Sequence, residues 1–186
     1  IAGSTAMADR KDALVAAAGF INKVPEIVKE YGNEFTVATV GTIKVTPHSV
    51  NVIPGTCTFS LEIRDQSAEV MKLIENHLRQ LLEDICKKYG VTSTFVPTSY
   101  HDPAPMSELV RGTIEEAVKE LGIDYTVIPS GAFHDSLIMT SVFPTGMIFV
   151  PSKDGISHSR YEYTAPEDIE NGCNVLLNTV IKLDEK

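Results

Sequence analysis

The residues best placed by type and spacing to do chemistry are two histidines in matching loops, His134 in PSGAFHDS (129–136) and His158 in PTGMIFVPSKDGISHS (144–159). Each loop follows an apolar run of strand length, Tyr125–Ile128 or Met147–Val150, reaches a proline and opens into a turn of small residues. An imidazole so placed could bind a metal through a neutral ring nitrogen or carry a proton. It could equally cap a turn, and position alone leaves both readings open. Asp135 beside His134 suggests a ligand with its orienting carboxylate, but neighbouring residues rarely point the same way. Arg64, at the end of an alternating segment, could clamp a carboxylate with two N–H groups. With Glu62 and Asp65 next to it, an ordinary surface ion pair is the favoured reading of the residues alone.

The other candidates have plain explanations. His77 falls on the apolar stripe of a helical segment and reads as packed, and His48 and His101 sit in proline-bearing loops and read as exposed. Glu115 and Glu116 could work as paired carboxylates. Glu115 lies four residues before Lys119, however, the spacing of an ion pair on a solvated helix face. No full metal set and no nucleophile with an adjacent base assembles from these residues.

The elements that must position the histidines can be read from periodicity. The runs before His134 and His158, with an apolar segment between them, predict two parallel strands joined by a short helical crossover. Both loops would then open at the carboxyl ends of the strands, where ligands bind. Upstream, a helical period runs from about Met7 to Tyr31, with Ser4 or Thr5 able to cap it, Gly32 as its stop and Pro25 inside it. Alternation at Phe35, Val37, Thr39, Gly41, Ile43 and Val45, and again at Cys57, Phe59, Leu61 and Ile63, predicts two strands whose named residues face the core. Ser67 caps a helix with the stripe Val70, Leu73, Ile74, Leu78, Leu81, Leu82, Ile85 and Tyr89, which Gly90 ends. A strand is expected at Val91–Val96. The prolines from Pro97 onward mark a passage between domains. Beyond it come a helix capped by Ser107 and ended by Gly122, and a last helix opened by a capping box at Thr164–Glu167 with Pro166 in its first turn, running through Ile169, Cys173, Leu176 and Val180.

This order is the split βαβ pattern without its first strand. The expected fold is α/β: a ferredoxin-like α+β lid over residues 1–100 lacking its first strand, then part of an α/β domain over 101–186. The chain begins at Ile1 in a turn-like stretch, so it is expected to be a piece of a longer protein.

At 186 residues and 43% hydrophobic content the chain can bury a core. Its formal charge of −9, without basic patches, argues against nucleic acid or an anionic membrane as partner. Cys57, Cys86 and Cys173 are odd in number and lie in apolar or periodic stretches, which predicts buried free thiols and a reducing, cytoplasmic setting. No apolar run reaches the length of a membrane span.

The series AGSTAMADRKDAL, NVIPG, LEIRD, SGAFHD, PTGMIFVPS, GISHS and EYT resembles, in order and nearly end to end, the amidohydrolase branch of the two-metal aminoacylase-like metallopeptidases. That group holds allantoate amidohydrolase and N-carbamoyl-L-amino-acid hydrolase. The resemblance implies a catalytic domain with two zinc or manganese ions, interrupted by a lid through which the protein forms a homodimer. It implies that His158 is the last metal ligand, and that Arg64 and Asn51 hold the carboxylate and polar end of a small carboxylate substrate. Gly131 and Ala132 match the turn whose backbone lines the pocket. The family's other metal-binding motifs and its general base fall outside these residues, so this stretch alone is expected to be inactive. The expected reaction of the whole protein is hydrolysis of a non-peptide C–N bond. A peptidase of the same family, or a non-catalytic module for dimerisation or ligand binding, is the alternative. Four positions depart from the family's pattern: Ile1 for histidine, His48 for asparagine, Phe133 for glycine and Arg160 for proline.

Overall fold

Asp12 starts the first long helix. Its carboxylate accepts the N–H groups of Leu14 and Val15 at 3.0 and 3.1 Å, and α1 then runs over Ala13–Tyr31. This is later than the expected start near Met7, because Met7–Asp9 forms a separate turn of 3-10 helix. Pro25 does not break α1, and Gly32 ends it by donating its N–H to the carbonyl of Val28 at 2.8 Å.

The computed structural model describes all of residues 1–186, which divide into two compact units, Ile1–Pro103 and Ala104–Lys186. In the first, β1 (Val37–Thr39), β2 (Ile43–Thr46), β3 (Thr56–Phe59) and β4 (Glu62–Arg64) form two antiparallel pairs, β1 with β4 and β2 with β3. The pairs are successive parts of one hairpin. Val37 faces Arg64 in the outer pair, whereas Ile43 faces Phe59 in the inner one, so the register shifts by one residue between them. The extra residue lies in Val40–Thr42. Ser60 holds this bulge: its Oγ accepts the N–H groups of Gly41 and Thr42 at 3.2 and 3.0 Å.

The bulge overturns part of the expected pattern. Beyond it Val45 faces inward with Cys57, but before it the inner residues are Thr36 and Ala38, while Val37 is 52% exposed. Inserting one residue into a strand of period two exchanges its faces.

Ser67 caps α2 (Ala68–Tyr89) through Val70 N–H, and Gly90 closes it in the left-handed region at φ 65°. α1 and α2 pack together on the hairpin around Phe20, Val24, Ile74, Leu78 and Ile85. The rings of Phe20 and Phe59 lie 5.4 Å apart. Each of these large side chains contributes roughly 1.5–3 kcal/mol by leaving water. The ferredoxin-like sheet is not formed, since each ladder has two strands, and Val91–Val96 is irregular rather than a strand. That segment is tied to α2 by side chains instead, with the Arg79 guanidinium 3.8 Å over the Phe95 ring.

The second unit is built on α3 (Glu108–Glu120), capped by Ser107, and α5 (Pro166–Asp184), with the one-turn α4 (Ser136–Met139) between them. Ala117, Val118 and Val175 form the core with Thr113 and Thr179. Both threonines donate their hydroxyls to the carbonyl four residues earlier, at 2.8 and 2.7 Å, which makes their burial tolerable. α5 begins at N-cap Ala165 with Pro166 in first place and has no side-chain cap, so the expected capping box is absent.

The expected face of α5 is also corrected. Val175 and Thr179 are buried, whereas Leu176 and Val180 are each 56% exposed and Cys173 is exposed. The parallel strands expected at Tyr125–Ile128 and Met147–Val150 are not present. A strand exists only where a neighbour takes its backbone hydrogen bonds, and neither segment pairs with another. The second one lies against the helices: a Cβ added at Gly146 would meet Val110 Cγ1 at 2.7 Å, and one at Gly172 would meet Val150 Cγ1 at 2.6 Å. No helix is long and apolar enough to cross a membrane.

Candidate functional site

The loop bearing His158 is pinned at its base. Lys153 donates its N–H to the Tyr163 carbonyl at 2.8 Å, and Ser152 Oγ donates to the Ile156 carbonyl at 2.5 Å. Between these ties Asp154 and Gly155 take left-handed backbone angles, φ 57° and 67°, and so does His158 at φ 56°. For a non-glycine residue this region is costly and persists only where neighbours impose it. The neighbour is Glu162, whose Oε2 accepts the His158 N–H at 2.8 Å. The ring is tied as well, with Nδ1 2.6 Å from the Ser157 hydroxyl. His158 is exposed, and Nε2 is the ring nitrogen left for a ligand.

His134 is built the other way. Its Nδ1 accepts the backbone N–H of Ser136 at 3.0 Å, so the ring caps the turn entering α4. An amide can only donate, which leaves a neutral His134 with its proton on Nε2. For this histidine the turn-capping reading holds.

Arg64 closes β4 and meets Glu62 Oε1 through Nε at 3.0 Å and through a terminal nitrogen at 2.6 Å. Asp65 anchors this strand end. Its carboxylate accepts the Ser67 N–H at 2.8 Å and the Thr36 hydroxyl at 2.5 Å, joining the end of β4 and the residue before β1 to the start of α2.

Asn51 lies in the loop between β2 and β3, where its Oδ1 accepts the Ser49 hydroxyl at 2.8 Å and its carbonyl accepts the Ala2 N–H at 2.8 Å. It is therefore at the opposite end of the hairpin from Arg64. From Thr56 to Arg64 the strand rise of about 3.3 Å per residue separates the two ends by roughly 25 Å, more than a small carboxylate spans.

Gly131 and Ala132 are exposed in the turn before His134, and Ser130 Oγ donates to the Ala132 carbonyl at 3.1 Å. The Arg160 guanidinium stacks 4.7 Å over Tyr161. His77, read as packed, stacks on Tyr31. Glu115 pairs with Lys119 at 3.7 Å, as its spacing requires. No three His, Cys, Asp or Glu side chains in the chain converge to hold a metal ion. Sequence reasoning did not single out Glu162. Its signal was its place four residues after a glycine-loop histidine, within reach of that residue's amide.

These features define a mixed helix and antiparallel-sheet chain with one exposed loop histidine whose backbone and Nδ1 are both engaged. The chain belongs to peptidase family M20/M25/M40, which it matches over residues 2–182. It is 39% identical over 182 residues to an N-carbamoyl-L-amino acid amidohydrolase of Geobacillus stearothermophilus, covering 98% of this chain and 44% of that one. It is 34% identical to the allantoate amidohydrolase of Bacillus subtilis strain 168, at 98% and 44% coverage. The crystal structure of a hydantoinase/carbamoylase-family amidase from Burkholderia multivorans superposes with a TM-score of 0.87 at 36% identity, covering 96% of this chain and 43% of that one. The chain spans less than half the length of these relatives.

Proposed function

We propose that these residues are part of a metal-dependent amidohydrolase that cleaves a non-peptide C–N bond, in a carbamoyl, ureido or N-acyl group of a small carboxylate substrate. The observation that carries this reading is the His158 loop, where a left-handed backbone and an engaged Nδ1 leave Nε2 for a ligand. The family membership and the amidohydrolase relatives support it. His158 gives one ligand to a centre of two zinc or manganese ions, which supplies Lewis acidity toward the scissile carbonyl. The other ligands come from residues outside this chain. Gly131 and Ala132 line the substrate pocket.

In this reading residues 1–100 form the lid and 101–186 return to the catalytic domain. The protein is a homodimer through the lid. The separation of Asn51 from Arg64 supports that arrangement, because the two can grip one small substrate only if they come from different copies. Glu62 holds Arg64 until a substrate carboxylate takes its place.

Hydrolysis of N-carbamoyl amino acids, ureido acids and N-acyl amino acids by the intact protein, with zinc or manganese, tests the reading. Turnover of one class supports it, and no turnover of any of them overturns it. Metal-dependent hydrolysis by the 186-residue chain alone would refute its expected inactivity.

A further inference from the structure

The structure holds two histidines in turns of small residues that follow an apolar run and a proline, and their hydrogen bonds differ. At His134 the partner of Nδ1 is the backbone N–H of Ser136, which can only donate. At His158 the partner of Nδ1 is the Ser157 hydroxyl at 2.6 Å, which can donate or accept. Ser157 therefore allows His158 the tautomer that Ser136 denies His134.

The backbone contributes a second constraint. His158 sits at φ 56°, a conformation that costs a non-glycine residue on the order of 1–3 kcal/mol. A charge-assisted bond from its own amide to Glu162 Oε2, at 2.8 Å, offsets that cost. Glu162 is itself set within the loop, its N–H donating to the Ser159 carbonyl at 3.0 Å. The contacts thus close the turn on the backbone of His158.

We infer that Ser157 and Glu162 are positioning residues for His158: the Ser157 hydroxyl accepts a hydrogen bond from Nδ1–H so that Nε2 presents its lone pair outward, and Glu162 holds the backbone that aims the ring. The two loop histidines then carry opposite tautomers, Nδ1–H at His158 and Nε2–H at His134. This deepens the proposed function and rests on its assignment of His158 as a ligand, but it concerns the ring and loop before any ligand arrives.

The test is nitrogen NMR of the intact protein labelled with 15N in the histidine rings and held at a pH where both rings are neutral, with hydrogen exchange of the backbone read alongside. His158 is expected to show a protonated Nδ1 and His134 a protonated Nε2. Ser157→Ala should move His158 toward the Nε2–H form without changing His134. Glu162→Ala should speed exchange of the His158 amide about tenfold, as loss of a charge-assisted hydrogen bond predicts. Glu162→Gln, which keeps an oxygen acceptor, should restore most of the protection and serves as the folded control. A protonated Nε2 at His158, or an amide indifferent to Glu162→Ala while Glu162→Gln remains folded, overturns the inference. A zinc titration separates this from the proposed function. If zinc leaves the His158 ring nitrogens unshifted while the tautomers are as stated, the ligand assignment fails and the positioning roles stand.

Discussion

The imidazole of His77 lies flat against the ring of Tyr31, with centroids 3.5 Å apart and planes 11° from parallel. This contact joins the last turn of α1 to the middle of α2, and it explains why a histidine occupies an otherwise apolar stripe. A stacked pair adds about 0.5–1.5 kcal/mol beyond the area it buries. His77→Ala should lower the urea midpoint of the first unit accordingly, while His77→Phe should retain most of the stability. A double-mutant cycle with Tyr31→Ala isolates the pair, and a coupling of zero would remove this role.

The bulge makes a sharper prediction. Deleting Gly41 would bring the strand into one register and turn Val45 outward or Ala38 away from the core, so the first unit should unfold or lose cooperativity. Ser60→Ala removes only the acceptor that holds Gly41 and Thr42 and should cost about 1 kcal/mol. Denaturant melts of the two variants must differ in this order; equal effects would mean that the bulge does not set the register.

Glu75 gives a pH dependence. Lys72, donating to its carboxylate at 2.8 Å, holds its pKa below the usual range, with Arg79 adding to the effect. A depressed carboxylate contributes stability that is present above its unfolded pKa, about 4.3, and is lost as pH falls through the lower folded value. The gap in thermal stability between wild type and Glu75→Gln should therefore be open at neutral pH and close as the solution is taken well below about pH 4. A constant gap would show that the shift does not couple to folding.

Two glycines should respond differently to alanine. A Cβ at Gly32 would stand 2.6 Å from the Val28 carbonyl oxygen and 2.8 Å from Thr36, the residue bonded to Asp65. Overpacking of that kind costs about 1–3 kcal/mol. A Cβ at Gly131 would meet nothing within 4 Å, so Gly131→Ala should leave stability unchanged and report only on the proposed pocket. Melting curves decide the first point and kinetics of the intact protein the second.

Placing Asn51 and Arg64 at opposite ends of one hairpin predicts complementation. In the intact protein, Arg64→Ala should raise KM about 10- to 100-fold, the loss expected when a carboxylate loses a charged partner. Mixed and refolded with Asn51→Ala protein, it should regain about a quarter of wild-type activity, because half of the random dimers then carry one intact site of two. A mixture no more active than its components would refute grips drawn from two copies.

The caps and stops of α2 and α3 are legible in the order of residues, since Ser67, Ser107, Gly90 and Gly122 act within a turn of themselves, whereas the true cap of α1, Asp12, and the uncapped start of α5 are not. The separate roles of Tyr31, His77, Glu115 and Lys119 follow from helical spacing in the same way. The strand faces do not. An alternating pattern read through Val40–Thr42 assigns Val37 and Val45 to one face, and only pairing against Ser60 reveals that a residue has been inserted between them. The strands expected before His134 and His158 fail for a related reason, because apolar runs become strands only when a neighbour takes their hydrogen bonds.

Family membership and the choice of His158 rest on the amino-acid sequence, because the order of its short motifs is independent of coordinates. Residue types alone do not tell His158 from His134, as both sit in the same kind of loop. The folded loops separate them, through one amide at Ser136 that must donate and one hydroxyl at Ser157 that can accept. The direction of a single hydrogen bond is set by how a loop closes, which neighbouring residue types do not specify.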